Sequence, residues 1–219
     1  MAKKAEKTEK NEEIIIPKPD QTKQLKWVLG IMIGIILIVI ATYLVMDSLS
    51  RFTYDGLTFT KERFGEIPVY HHYYYFKDLE GQQYKYNMYL RNDPRENNIS
   101  ITGKIAYSLG NPIFFSINTT KIEECPDSVL AVSSLSSFLT NNLMQVKAAT
   151  PDSSKNSTQI PYAVCGNPSD SKVIVLECGN ETRIINEGNC HTIQIGKCED
   201  VLWAAEKFEV QSVVDSRNK

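Results

Sequence analysis

Residues 68–76 read PVYHHYYYF. Two histidines and four tyrosines in nine residues admit two readings, a ligand site or an aromatic strand. A strand sends successive side chains to opposite faces, so His71 and His72 point apart and cannot hold one metal ion together. His191 is the only other histidine, and aromatic residues are good strand formers. The stretch therefore reads as a strand, with Val69, His71, Tyr73 and Tyr75 on one face and Tyr70, His72, Tyr74 and Phe76 on the other. Both rows are aromatic, so one is covered by other elements or displayed. A displayed row could stack on sugars, grip a protein or rest on lipid headgroups. The register that decides between the rows is not fixed by spacing.

The neighbouring segments extend this strand into a sheet. In QYKYNMYLR, residues 83–91, Tyr84, Tyr86, Met88 and Leu90 alternate with Lys85, Asn87, Tyr89 and Arg91, the period of a half-buried strand. The two runs flank KDLEGQ, so they form a hairpin in which Gly81 takes the awkward backbone angle. Upstream, FTYDGLTFT places two short strand pieces around Asp55-Gly56, a hairpin-turn pair. Downstream, RNDPREN is a turn; Asp93, Arg91 and Arg95 are read there as a polar cluster, a turn tied by an ion pair. Asp93 and Arg95 also join Tyr73 and Tyr75 as candidates for an interaction surface. GKIAYSL and IFFSI follow as two further strand candidates.

The second half changes character. Residues 127–147 carry Ala131, Val132, Leu135, Phe138, Leu139, Leu143 and Val146 at helical spacing, with an uncharged Ser/Thr/Asn face opposite. VIVLEC reads as a central strand buried on both faces, followed by TRIIN and HTIQI. A last helix begins near Glu199, with Val201, Leu202, Ala205 and Phe208 inward. The fold class is α+β or α/β: an aromatic antiparallel half, then a small sheet with two helices.

Ahead of this domain lies WVLGIMIGIILIVIATYLVM, residues 27–46, without a charge. At 1.5 Å per residue it spans ~30 Å, the thickness of a bilayer core. The run is longer than a signal-peptide core and no cleavage site follows, so it reads as a retained helix over residues 25–47. Residues 1–26 hold seven lysines against five acids, which keeps the N-terminus cytoplasmic and sends residues 48–219 outside. Residues 1–24 have too little apolar content to fold and read as a disordered tail. Gly30 and Gly34 form a GxxxG that would let two helices pair into a homodimer, although glycine is common in membrane helices by chance. Residues 47–51 read as a short link.

The outer segment carries all five cysteines, as an oxidising compartment requires. It also holds four glycosylation sequons, at Asn98, Asn118, Asn156 and Asn180. Spacing does not fix disulfide connectivity. The order of elements favours Cys125–Cys165 and Cys190–Cys198, and leaves Cys178 as a buried thiol in the central strand. Zinc and thiol-redox chemistry are disfavoured, because the cysteines form no close pair of the C-x2-4-C kind. The net charge of −2 gives no basic field for nucleic acid. No nucleotide loop, metalloprotease, hydrolase or calcium motif occurs, so no cofactor or metal is expected.

The runs YDGLTFTKERFGEIPVYH, YNMYLRNDPREN, CPDSVLAV, NETRIINEGNC and KCEDVLWAAEKF resemble a family of uncharacterised archaeal single-pass membrane proteins. The likeness covers most of residues 50–210. It implies an extracytoplasmic domain whose Cys125, Cys165, Cys190 and Cys198 are disulfide-bonded, and it carries no activity. The expected function is that of a membrane-anchored envelope or surface protein with a non-catalytic domain that binds an envelope protein or glycan. The alternative is an envelope enzyme acting on carbohydrate, with facing carboxylates near the aromatic hairpin and Asp93.

Overall fold

The computed structural model describes residues 21–107, 111–157, 160–166 and 171–217. The chain divides into two units, Met1–Leu49 and Ser50–Lys219. In the first, α1 (Gln21–Ser50) is the one described helix long and apolar enough to cross a membrane. Its large apolar side chains are exposed all round, Trp27, Ile38 and Leu44 among them, so it has no polar face for water. Residues 47–50 are helical and Arg51 already belongs to a strand, so the expected link is absent. The helix starts at Gln21; residues 1–20 of the expected tail lie outside the described residues.

The second unit opens with β1 (Arg51–Tyr54), β2 (Leu57–Phe64), β3 (Ile67–Lys77) and β4 (Gln83–Leu90), an antiparallel sheet in chain order. Asp55 and Gly56 turn β1 into β2 with φ of 47° and 75°, the mirror-image turn that matches strand twist. Gly81, at φ 85°, does the same service in the β3–β4 loop.

The remaining strands are β5 (Ser100–Thr102), β6 (Pro112–Ile117), β7 (Gln145–Ala149), β8 (Lys172–Cys178), β9 (Arg183–Glu187) and β10 (Cys190–Ile195). They form a mixed sheet in the order β5-β9-β10-β8-β6-β7. β8 is central, as its continuous apolar run requires, with Val173, Ile174, Val175 and Leu176 all buried.

Two elements differ from the sequence reading. Residues 103–107 are irregular instead of extended, Ser108 and Leu109 lie outside the described residues, and the strand falls earlier, at β5. After the short α2 (Thr119–Ile122), α3 (Ser128–Asn141) ends six residues before the expected Lys147. Leu143 takes φ 62°, which a helix cannot contain, and the chain returns as β7, parallel to β6 with Val146 opposite Ile113. The apolar spacing of Leu143 and Val146 fits either element. α4 (Val201–Arg217) closes the fold.

α4 and α3 lie between the two sheets. On one side Phe208 packs on His191 of β10 at 6.0 Å between ring centroids. On the other, Lys207 Nζ donates to Tyr54 Oη at 2.7 Å, and Tyr86 of β4 meets Phe138 of α3 edge-on at 5.9 Å. One continuous core joins Phe59, Met88 and Leu90 of the first sheet, Leu135 and Phe208 of the helices, and Ile174 and Ile193 of the second. This middle position explains why α4 buries Glu206, Glu209, Ser212 and Asp215 as well as its apolar stripe.

The disulfides join Cys125 to Cys198 and Cys165 to Cys190, with Cα separations of 4.9 and 5.4 Å. The four cysteines are those expected to be bonded; the pairing is not the expected one. Cys190 opens β10, five residue steps of strand at ~3.3 Å each carry the chain ~16 Å away by Ile195, and the chain then runs on into the turn Cys198–Asp200 that leads into α4. Cys125 and Cys198 instead precede α3 and α4 by the same three residues, and the bridge ties the two helix starts together. Cys178 belongs to neither bridge and is half-buried at the end of β8.

Candidate interaction surface

The register of the first sheet settles which aromatic row is covered. Tyr70, His72, Tyr74 and Phe76 share a face with Leu57, Phe59, Met88 and Leu90, opposite Leu90, Met88, Tyr86 and Tyr84 of β4. This is the face on the helices. Tyr74 Oη donates to Asn142 Oδ1 at 2.6 Å, and His72 Nδ1 donates to the Thr58 carbonyl at 2.8 Å. Burial holds the His72 pKa below its ordinary value and raises the Tyr74 and Tyr86 phenols.

Beyond Val69, which is 5% exposed, the opposite face is open. Tyr73, Tyr75 and Tyr89 are 52%, 57% and 45% exposed, and Phe64 is 58% exposed. Their rings form a connected ribbon across three strands. Phe64 meets Tyr89 edge-on at 5.6 Å, Tyr89 stacks on His71 at 4.5 Å, and Tyr73 meets Tyr75 edge-on at 6.1 Å. Polar groups fix the ribbon. His71 sits between Glu62 Oε1 at 2.8 Å and Asn87 Oδ1 at 3.2 Å, and Lys85 Nζ lies 4.3 Å from the Tyr73 ring centroid. Flat rings with donors and acceptors set among them suit a partner that is part apolar and part polar.

Asp93 and Arg95 are not part of this surface. Asp93 caps a single 3-10 turn, Pro94–Glu96, accepting from the Arg95 backbone N–H at 3.0 Å. Arg95 Nη2 donates to Asp93 Oδ2 at 2.6 Å, which holds the Asp93 carboxyl below its usual range. The guanidinium covers the Phe52 ring at 3.8 Å, and Phe52 meets Tyr70, on the sheet face opposite Tyr73 and Tyr75. The pair ties the turn. Tyr89, Phe64, Glu62 and Asn87 join the surface instead. Strand alternation already put Tyr89 and Asn87 on one row, but only the pairing of β2 with β3 brings Glu62 and Phe64 beside them.

A cleft of about 620 Å³ opens at the far half of β3, between that strand, α3 and the end of α4. No group of three or more metal-ligating side chains occurs among the described residues. Of the sequon asparagines, Asn98, Asn156 and Asn180 are exposed and Asn118 is half-buried at the end of β6; Thr158 of the third sequon lies outside the described residues. Gly30 and Gly34 of α1 have nothing within 4 Å of where a Cβ would stand. Comparison with protein-family models, with curated proteins and with solved structures finds no match.

Proposed function

We propose that the protein is a membrane-anchored binding protein whose domain faces outward and holds an envelope protein or glycan on the open face of its first sheet. The observation that carries this is the exposed ring ribbon Phe64–Tyr89–His71, continued by Tyr73 and Tyr75 and fixed by Glu62, Asn87 and Lys85. Large rings left in water on one face while the same strand buries its other face favour a recognition surface over a packing remnant. An apolar α1, lysines ahead of it and two disulfides after it support the anchored, outward placement. Glycans on the sequons and the kinship with archaeal single-pass proteins belong to the same proposal. So does pairing of two anchors through Gly30 and Gly34. The carbohydrate-enzyme alternative set Asp93 beside the aromatic row, and Asp93 stands on the other face, held by Arg95.

A photoreactive amino acid placed at Tyr75 in intact cells should give a discrete crosslinked product, and one at Lys147, exposed on edge strand β7, should not. Protease added to those cells should digest the domain and spare the lysine-rich N-terminus. Equal crosslinking at both positions, or a protected domain, would overturn the reading.

A further inference from the structure

The cleft at the far half of β3 combines apolar walls with cationic side chains. Its walls are aromatic and aliphatic, with Phe76, Phe138, Leu139 and Val213 among them, and its volume of about 620 Å³ lies within the range of small-molecule sites. The charged side chains that line it are Lys77 and Arg217, both cationic; no carboxylate lines it among the described residues.

Four other polar groups at its wall are turned to partners within the fold. Tyr74 Oη donates to Asn142, Asn142 Nδ2 donates to the Phe138 carbonyl, Ser212 Oγ to the Phe208 carbonyl and Ser216 Oγ to the Val213 carbonyl. Arg217 differs. Its Nη1 reaches the Gly56 carbonyl at 3.3 Å and its Nη2 lies 3.4 Å from His72 Nε2. Because His72 Nδ1 donates to Thr58, Nε2 is the acceptor, so both contacts are with neutral groups and the guanidinium charge is unmatched by either. The end of α4 contributes roughly half a negative charge, less than Arg217 carries, and Lys77 adds a second positive charge at the rim.

We propose that this cleft binds a straight-chain amphiphile with a single anionic head, its chain between the aromatic and aliphatic walls and its head at Arg217. A guanidinium suits a planar carboxylate, which can accept two parallel N–H bonds. Tyr73 and Tyr75 of the open aromatic face also line this cleft, but Ser216 and Arg217 are not residues of that face, so variants at those two positions test the cleft alone.

The test uses the full chain in nanodiscs of neutral lipid and a long-chain carboxylate carrying a diazirine near its methyl end, with the corresponding alcohol as control. After illumination, mass spectrometry maps the labelled peptides. The carboxylate should label β3 and α3 at the cleft. Ser216→Trp, which fills the cleft from an exposed position, should reduce that labelling at least tenfold. Arg217→Gln should reduce labelling by the carboxylate about tenfold and leave that by the alcohol unchanged. Label confined to α1 and lipid would overturn the site, and so would equal labelling of parent and Ser216→Trp. Equal labelling by carboxylate and alcohol, or indifference to Arg217→Gln, would overturn the anionic head.

Discussion

His71 and His72 are neighbours in sequence with opposite surroundings. His72 is 5% exposed, bonded to Thr58 and tilted against the Phe59 ring at 5.3 Å. His71 has a side chain 17% exposed, lies on the outer face, and stacks on Tyr89 while bonded to Glu62 and Asn87. Removing the buried ring leaves a cavity and an unsatisfied carbonyl, so His72→Ala should cost about 2–4 kcal/mol. Removing the outer one loses a stacking contact and partly screened hydrogen bonds to Glu62 and Asn87, and should cost about 1 kcal/mol or less. Chemical denaturation followed by near-ultraviolet circular dichroism measures both. Similar losses would mean that the two rings do not face different environments. The opposed directions were legible from strand period alone. Which ring is inside was not, because both rows are aromatic and the answer rests on how β3 pairs with β2 and β4.

At the scale of elements, α4 is the one the sequence described least well. Its apolar stripe of Val201, Leu202, Ala205 and Phe208 was readable, and all four are buried. Its acids Glu206 and Glu209 were not singled out, and they are 3% and 2% exposed. A helix packed on one sheet has a wet side; this helix has a sheet on each side, and nothing in its local spacing reports the second one. Glu206 accepts from the Asn92 backbone and side chain at 3.2 and 2.8 Å, and also from the backbone N–H of Arg91. Glu209 accepts from Ser134 Oγ at 2.7 Å. Burial pushes the first up to about 7 and the second up to about 8. A carboxyl raised on folding binds its proton more tightly in the fold than in the unfolded chain. Its contribution is therefore full below the unfolded pKa of about 4.3 and falls as pH rises toward the folded value. For Glu209 the loss runs from about pH 4.3 to about pH 8 and amounts to roughly a few kcal/mol. Glu209→Gln keeps an oxygen for Ser134 and removes the titration. It should match the parent near pH 5, exceed it in stability at pH 8, and flatten the pH dependence in denaturation measured across that range. A variant no more stable than the parent at pH 8 would show that Glu209 ionises in the fold without penalty.

For the whole molecule, the same limit separates what was readable from what was not. The apolar helix, the aromatic sheet, the central strand and the set of bonded cysteines each follow from local pattern or resemblance. The order β5-β9-β10-β8-β6-β7 and the disulfide partners depend on which distant segments meet. One constraint was nonetheless local. The strand pattern of HTIQI carries the chain ~16 Å from Cys190 by Ile195, so a Cys190–Cys198 bridge would need residues 196–198 to double straight back, and the pattern weighs against that pair. The observed bridges differ in what they close. Cys125–Cys198 spans 73 residues and fastens the starts of α3 and α4, the middle layer on which both sheets pack. Cys165–Cys190 spans 25 residues and pins a loop to the start of β10. On the chain-entropy account the first should contribute about 4 kcal/mol and the second about 3–4 kcal/mol, a small difference. Position should widen it, because losing the first frees two helices in the core and losing the second frees one loop. Unreduced digests analysed by mass spectrometry should contain peptides joined through Cys125–Cys198 and Cys165–Cys190. The double variant Cys125→Ser/Cys198→Ser should lower the midpoint of thermal unfolding more than Cys165→Ser/Cys190→Ser. Peptides joined through Cys190–Cys198 would contradict the extended course of β10, and equal midpoints would show that the helix starts are held without their bridge.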